Sequence, residues 1–205
     1  SINAHMDAVE QAYQNKSAEP MMGVPSGIRS IDTMLNGFHK RKVYVVAGRK
    51  HMGKTGLLMS IAMGAAKAGA RIAIFNVADG SKRDVVNNLI SMETGIEPYR
   101  LELGDMDKFE YERYVEACGR LARLGIFIRS KKGMSPREIA FEAAALKSEH
   151  GLDMVIIDYL QRLSAGEHLP PAVQNNNYMA MSHVSQALTK MSSDEGPLTN
   201  GYLNV

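Results

Sequence analysis

Val43-Tyr44-Val45-Val46-Ala47-Gly48-Arg49-Lys50-His51-Met52-Gly53-Lys54-Thr55-Gly56 is the stretch on which the fold turns. Its first five residues form a mostly β-branched apolar run, the composition of a buried strand. The middle fits G-x-x-x-x-G-K-[ST], and the chain from Lys54 to Ala68 is helix-forming and stops at Gly69. Strand, glycine-bounded loop and helix, in that order, are the setting in which this pattern binds phosphate. Glycines permit a tight nest of backbone N–H groups, and the helix N-terminus adds positive potential. Gly48, Arg49, Lys50, His51, Met52, Gly53, Lys54, Thr55 and Gly56 are therefore the expected phosphate-binding residues. Lys54 is expected to reach the β- and γ-phosphates, a catalytic role as well as a binding one, and the Thr55 hydroxyl to ligate Mg²⁺.

Outward from this loop the same strand-then-helix period repeats. Ile72 to Val77 reads as a second buried strand and Ser81 to Met92 as a helix, with Ser81 as its cap and Asp84 three residues on. From Phe109, the positions Tyr111, Tyr114, Val115, Cys118, Leu121 and Ala122 mark one helix face, followed by a short strand Gly125 to Ile128. Ser135-Pro136-Arg137-Glu138 combines an N-cap, a first-turn proline and a first-turn acid, and that helix runs to His150-Gly151. Met154-Val155-Ile156-Ile157-Asp158 is a fourth apolar strand ending in an acid, at the strand end where open α/β sheets present ligand-facing groups. Asp158 is expected to support the Mg²⁺ through water, because that ion dehydrates reluctantly. Four apolar strands alternating with helices predict an α/β fold with a mainly parallel sheet flanked by helices.

Ahead of the loop, Ile28, Ile31, Met34 and Leu35 recur at helical spacing between the turn Gly23-Val24-Pro25-Ser26-Gly27 and a stop at Asn36-Gly37. Residues 1–5 read as an expression remnant, 6–20 as a helix and arm (Asp7 to Lys16 is helix-prone), 21–193 as the core and 194–205 as a patternless tail. A loop from Ser164 to Asn177 precedes a last helix striped by Met181, Val184, Leu188 and Met191. With 205 residues, 45% of them apolar, the chain can bury one sizeable core, which argues against disorder. A net charge of +2 is too small to argue for unspecific nucleic-acid binding. A single cysteine, Cys118, excludes an internal disulfide and fits a cytoplasmic protein. The longest apolar stretch, Leu57 to Ala66, is broken by Ser60 and Gly64 and is too short to span a bilayer. The six histidines show no metal-binding spacing, and the fourteen methionines fall mostly at core positions of helices.

Several phrases carry a family resemblance. Gly23-Val24-Pro25-Ser26-Gly27, the Gly37-Phe38 turn, Met52-Gly53-Lys54-Thr55, Lys147 to Leu152 and above all Met154 to Gln161 (MVIIDYLQ) resemble the DnaB-type replicative DNA helicases, over roughly Ala8 to Met191. The resemblance implies the C-terminal RecA-like P-loop ATPase domain of that family, in a truncated or degenerate member. It implies ATP and Mg²⁺ as cofactors, a homo-oligomeric ring (a hexamer in the full-length family) with ATP at subunit interfaces, and single-stranded DNA in the channel. Replisome or helicase-loader proteins are the implied partners, and residues 6–20 resemble the family's linker helix. Ser164 to Asn177 falls where the family places a channel loop, yet it carries Glu167 and no Lys or Arg.

Three departures accompany the matches. The family's catalytic Glu, at the end of the second strand, aligns with Ala78, leaving Asp79 as the neighbouring candidate for water activation. Arg129-Ser130-Lys131-Lys132 stands where the family usually has an acidic pair. Nothing after Met191 resembles the family's polar sensor strand, second DNA loop or basic finger. Two readings follow: an ATPase domain whose parent couples hydrolysis to translocation and unwinding, or a non-catalytic helicase-like protein that binds nucleotide or a helicase ring and regulates it. A recombination- or clock-type RecA-like ATPase explains MVIIDYLQ less well.

Overall fold

A computed structural model describes residues 21–49, 52–77 and 81–158, the backbone of Tyr202–Asn204, and singly Ile2, Met6, Asp7, Glu10, Gln186, Ala187, Thr189 and Lys190. In chain order the elements are α1 (Arg29–Leu35), β1 (Val43–Tyr44), α2 (Lys54–Lys67), β2 (Ile72–Asn76), α3 (Lys82–Thr94), α4 (Pro98–Leu103), α5 (Lys108–Leu121), β3 (Ile126–Ser130), α6 (Pro136–His150), β4 (Met154–Asp158) and β5 (Tyr202–Asn204). The strands form one sheet in the order β1-β5-β4-β2-β3, and every pairing is parallel. The central strands β2 and β4 are buried at all five positions, as continuous apolar runs covered on both faces must be.

Side-chain alternation divides the core in two. Ala73, Phe75, Val77, Val155 and Ile157 pack with Ile139, Ala143 and Leu146 of α6. Ile72, Ile74, Met154 and Ile156 pack on the other face with Leu58, Met59, Ala62 and Ala65 of α2. A satellite core of Ile90, Ile96 and Leu101 joins α3 and α4 to Tyr114, Cys118 and Leu121 of α5. The entry turn docks on α2 through glycines: the Gly27 and Gly64 backbones touch so closely that a Cβ on Gly64 would lie 2.1 Å from the Ser26 carbonyl oxygen. Asp32 ties the turn down, accepting from the Ser26 amide and hydroxyl at 2.7 Å each.

The caps follow the sequence closely. Ser81 and Ser135 open α3 and α6 with reciprocal capping boxes to Asp84 and Glu138, and Asp107 does the same for α5 with Glu110. Asn36 closes α1 in the left-handed conformation, and His39 Nε2 lies 2.9 Å from the Leu35 carbonyl. His150 stacks on Phe127 at the other end of α6.

Other expectations need correction. The loop strand is two residues rather than five, and Val45 is 62% exposed. Among the described residues the strand's neighbour in the sheet is the three-residue β5, and its ladder ends at Tyr44, opposite Asn204. Residues 194–205 are not patternless throughout: Tyr202–Asn204 insert between β1 and β4 through backbone pairing, which three residues can make without any periodic signal. Helix α4 has no counterpart among the sequence expectations; it is too short to show periodicity, though Pro98 opens it and Gly104 closes it. The inner face of α5 is Tyr114, Ala117, Cys118 and Leu121, whereas Phe109, Tyr111 and Val115 are exposed. Met34 is exposed on α1, and Met6, Met21, Met22, Met52 and Met92 are also at the surface, so the methionines are less uniformly core than their spacing suggests. Strand β3 runs two residues past Ile128, because β2 keeps pairing with it to Asn76 opposite Ser130. Met6, Asp7 and Glu10 are helical and exposed, and so is Ile2, within the stretch 1–5 that the sequence sets apart as a remnant. Ser164 to Asn177 and the stripe of the last helix lie outside the described residues. Among the described residues no helix is long and apolar enough to cross a membrane.

Candidate functional site

In a parallel sheet all strands end on the same edge, and the loop between β1 and α2 lies over that edge. Gly53 holds φ +80° immediately before α2, a backbone conformation that L side chains rarely adopt. Gly48 is less constrained: the nearest described atoms to a Cβ there, on the Lys54 and Met52 side chains, lie at 3.6–3.8 Å, ordinary contact. The first helical bond of α2 runs from the Leu57 amide to the Gly53 carbonyl at 2.9 Å. The amides of Lys54, Thr55 and Gly56 thus precede any intrahelical acceptor.

The cap of α2 distinguishes it from the other long helices. Each of α3, α5 and α6 carries an acid in its first turn and a side-chain cap; α2 has neither. Its positive end is left for an anion from outside the helix. Lys54 Nζ reaches back over the loop and donates to the carbonyls of Gly48 (3.0 Å) and Arg49 (3.1 Å), so a full positive charge is held where that anion would sit. The Met52 amide also bonds the Arg49 carbonyl, at 3.3 Å, tightening the turn.

Asp158 ends β4 beneath this loop and is 8% exposed. The Thr55 hydroxyl and the Lys54 charge both bear on its carboxylate. Burial pushes the Asp158 carboxyl above the usual range, while the nearby Thr55 hydroxyl and the Lys54 charge pull it back toward the ionised form. A hydroxyl and a carboxylate brought together beside a phosphate-directed lysine are hard oxygen donors of the kind Mg²⁺ takes, with room in its shell for water and phosphate oxygens. The donor set therefore fits that ion. Of the expected site residues, Gly48, Arg49, Met52, Gly53, Lys54, Thr55, Gly56 and Asp158 are seen at this edge; Lys50, His51 and Asp79 lie outside the described residues, as does Ala78.

Two cations of the basic run that begins at the end of β3 are paired with acids. Arg129 pairs with Glu142 at 3.1 Å and Lys131 with Glu138 at 2.5 Å, both acids of α6. The Arg41-Lys42 pair precedes β1 and so lies at the opposite edge of the sheet from the loop. Sequence reasoning missed one feature of the site. Asn76 and Ser130, at the ends of β2 and β3, stand in register with Asp158 and complete a polar row across three strands. Counting by twos from Ile72 and Ile126 finds them.

A model of the DnaB-like helicase C-terminal domain matches residues 23–196. The replicative DNA helicase DnaC of Bacillus subtilis is 29% identical over 189 residues, 92% of this chain and 40% of that protein. Replicative DNA helicase DnaB of Geobacillus stearothermophilus is 28% identical with the same coverage. The chain thus spans about 40% of the length of these relatives. Among solved structures, one ATPase domain superposes with a TM-score of 0.80 at 24% identity, covering all of this chain and 69% of that one. A DnaB-like replicative helicase, studied with its interactions with primase, gives 0.81 at 23% identity over 97% of this chain and 46% of that one. The fold is RecA-like.

Proposed function

The chain belongs to the DnaB-like helicase C-terminal domain family, and on that premise we propose that it binds ATP with Mg²⁺ as the motor domain of a replicative DNA helicase. One observation carries this reading: the uncapped head of α2, with Lys54 held over the loop and the buried Asp158 carboxylate at the same sheet edge beside Thr55. The amides of residues 53–56 and Lys54 cradle the β- and γ-phosphates, and Thr55 and, through water, Asp158 hold the metal. The bound Mg²⁺ neutralises charge on the phosphate oxygens. In the parent assembly the domain forms a ring, hexameric in the family it belongs to, with ATP between subunits and single-stranded DNA in the channel, and hydrolysis drives translocation and unwinding. Replisome proteins, a primase or a helicase loader among them, are its partners, and the single cysteine fits the cytoplasm.

A second reading is favoured by Ala78, which aligns where the family carries its water-activating Glu. It makes the chain a nucleotide binder without turnover, which regulates a helicase ring. ATP hydrolysis measured with and without single-stranded DNA, using Lys54→Ala as the blank, separates the two. Turnover above the blank and raised by DNA supports the motor and gives Asp79 or another acid the role of base. Tight ATP binding with no turnover overturns the motor in favour of the regulator.

A further inference from the structure

Asn76 is 6% exposed at the end of β2, in a strand otherwise wholly apolar. Asparagine is depleted from strands, and burying its carboxamide is costly unless it has polar neighbours. Its direction follows from alternation. Ala73, Phe75 and Val77 belong to the α6 side of the sheet, and Ile72 and Ile74 to the α2 side, so Asn76 continues the α2 side. Asp158 continues the same side of β4 after Met154 and Ile156, the side on which Lys54 and Thr55 of α2 bear on its carboxylate. The register sets Asn76 directly beside Asp158, one strand spacing of about 4.8 Å away. Ser130 is level with them but a strand further off, and exposed.

We propose that Asn76 is a positioning residue for the metal: its carboxamide oxygen accepts from a water of the Mg²⁺ shell and holds that shell against Asp158. The chemistry suits the place. Mg²⁺ keeps several waters, each of which must donate to something. A carboxamide offers an acceptor without adding a second negative charge beside a buried carboxylate. An acid at Asn76 would supply the same oxygen but repel Asp158 until the cation arrived. The inference rests on the Thr55–Asp158 metal site proposed above.

The test is the gain in affinity for a fluorescent ATP analogue when EDTA is replaced by saturating Mg²⁺. Asn76→Leu, close in volume, is expected to cut that gain about tenfold, the size typical of a lost outer-shell partner, while affinity in EDTA stays unchanged. Asn76→Asp restores the gain, because the acceptor oxygen returns, and Ser130→Ala leaves it untouched. Thermal melts check that each variant is folded, and Asn76→Ala replaces the leucine variant if that one is not. A wild-type gain kept in full by folded Asn76→Leu or Asn76→Ala overturns the role of Asn76 and leaves the metal site standing. No gain in the wild type overturns the metal site, and this inference with it.

Discussion

Gly64→Ala sets helix propensity against packing. Gly64 lies inside α2, where alanine is ordinarily better by about 1 kcal/mol. Here the new Cβ would stand 2.1 Å from the Ser26 oxygen, 2.7 Å from the Ser26 carbonyl carbon and 2.8 Å from Gly27 Cα. These are backbone atoms, and the turn that owns them is pinned to Asp32 by bonds of 2.7, 2.7 and 3.1 Å. Relief therefore needs a backbone shift of about 1 Å, at the upper end of the ~1–3 kcal/mol that overpacking costs. Subtracting the propensity gain leaves a net loss of about 2 kcal/mol. For a domain of this size that lowers Tm by about 4–8 °C. Gly119→Ala on α5 is the control: a Cβ there meets nothing within 4 Å, so the substitution should stabilise by about 0.5–1 kcal/mol. Calorimetry or urea melts of both variants give the answer. A Gly64→Ala protein as stable as the wild type, or more so, would refute the close docking of the entry turn on α2.

Acid should weaken the fold through its capping carboxylates. The Lys131 ammonium and the Ser135 amide and hydroxyl hold the Glu138 carboxyl down to about 2. Because the folded value is the lower one, its contribution is complete above the ordinary value of 4.5 and is lost as pH falls from there toward about 2. Urea midpoints should therefore drop less between pH 5 and pH 3 in Glu138→Gln than in the wild type; equal slopes would contradict the assignment. Ser81→Ala removes half of the capping box of α3 and should cost about 1 kcal/mol in urea melts, with the nucleotide site unaffected. Thr55→Val keeps shape but removes the hydroxyl expected to ligate Mg²⁺ beside the buried Asp158 carboxylate; Mg²⁺-dependent nucleotide affinity should fall, and an unchanged value would count against Thr55 as a ligand.

What could be read from the residues follows from the range over which each signal acts. The phosphate loop, the caps at Ser81 and Ser135 and the apolar runs of β2 and β4 are local patterns, and they stand where spacing and propensity placed them. The short β1, the insertion of β5 and the outward turn of Phe109 and Tyr111 depend on what lies alongside, which no window along the chain contains. The site shows the same division. Lys54 and Thr55 are legible as a motif, whereas their meeting with Asp158 depends on a parallel register that brings together residues about a hundred positions apart. Asn76 escaped notice because a lone amide in a strand matches no motif; its meaning appears only once β2 and β4 are paired.

The central claim is that this loop holds a nucleotide's phosphates. Equilibrium binding of a fluorescent ATP analogue in Mg²⁺, to the wild type and to Lys54→Ala, tests it most directly. Removing a charge-assisted bond to phosphate costs roughly 1.5–3 kcal/mol, so saturable binding weakened about 10- to 100-fold in a variant that melts normally is the expected result. Equal affinity in the two proteins, or none in the wild type, would contradict it.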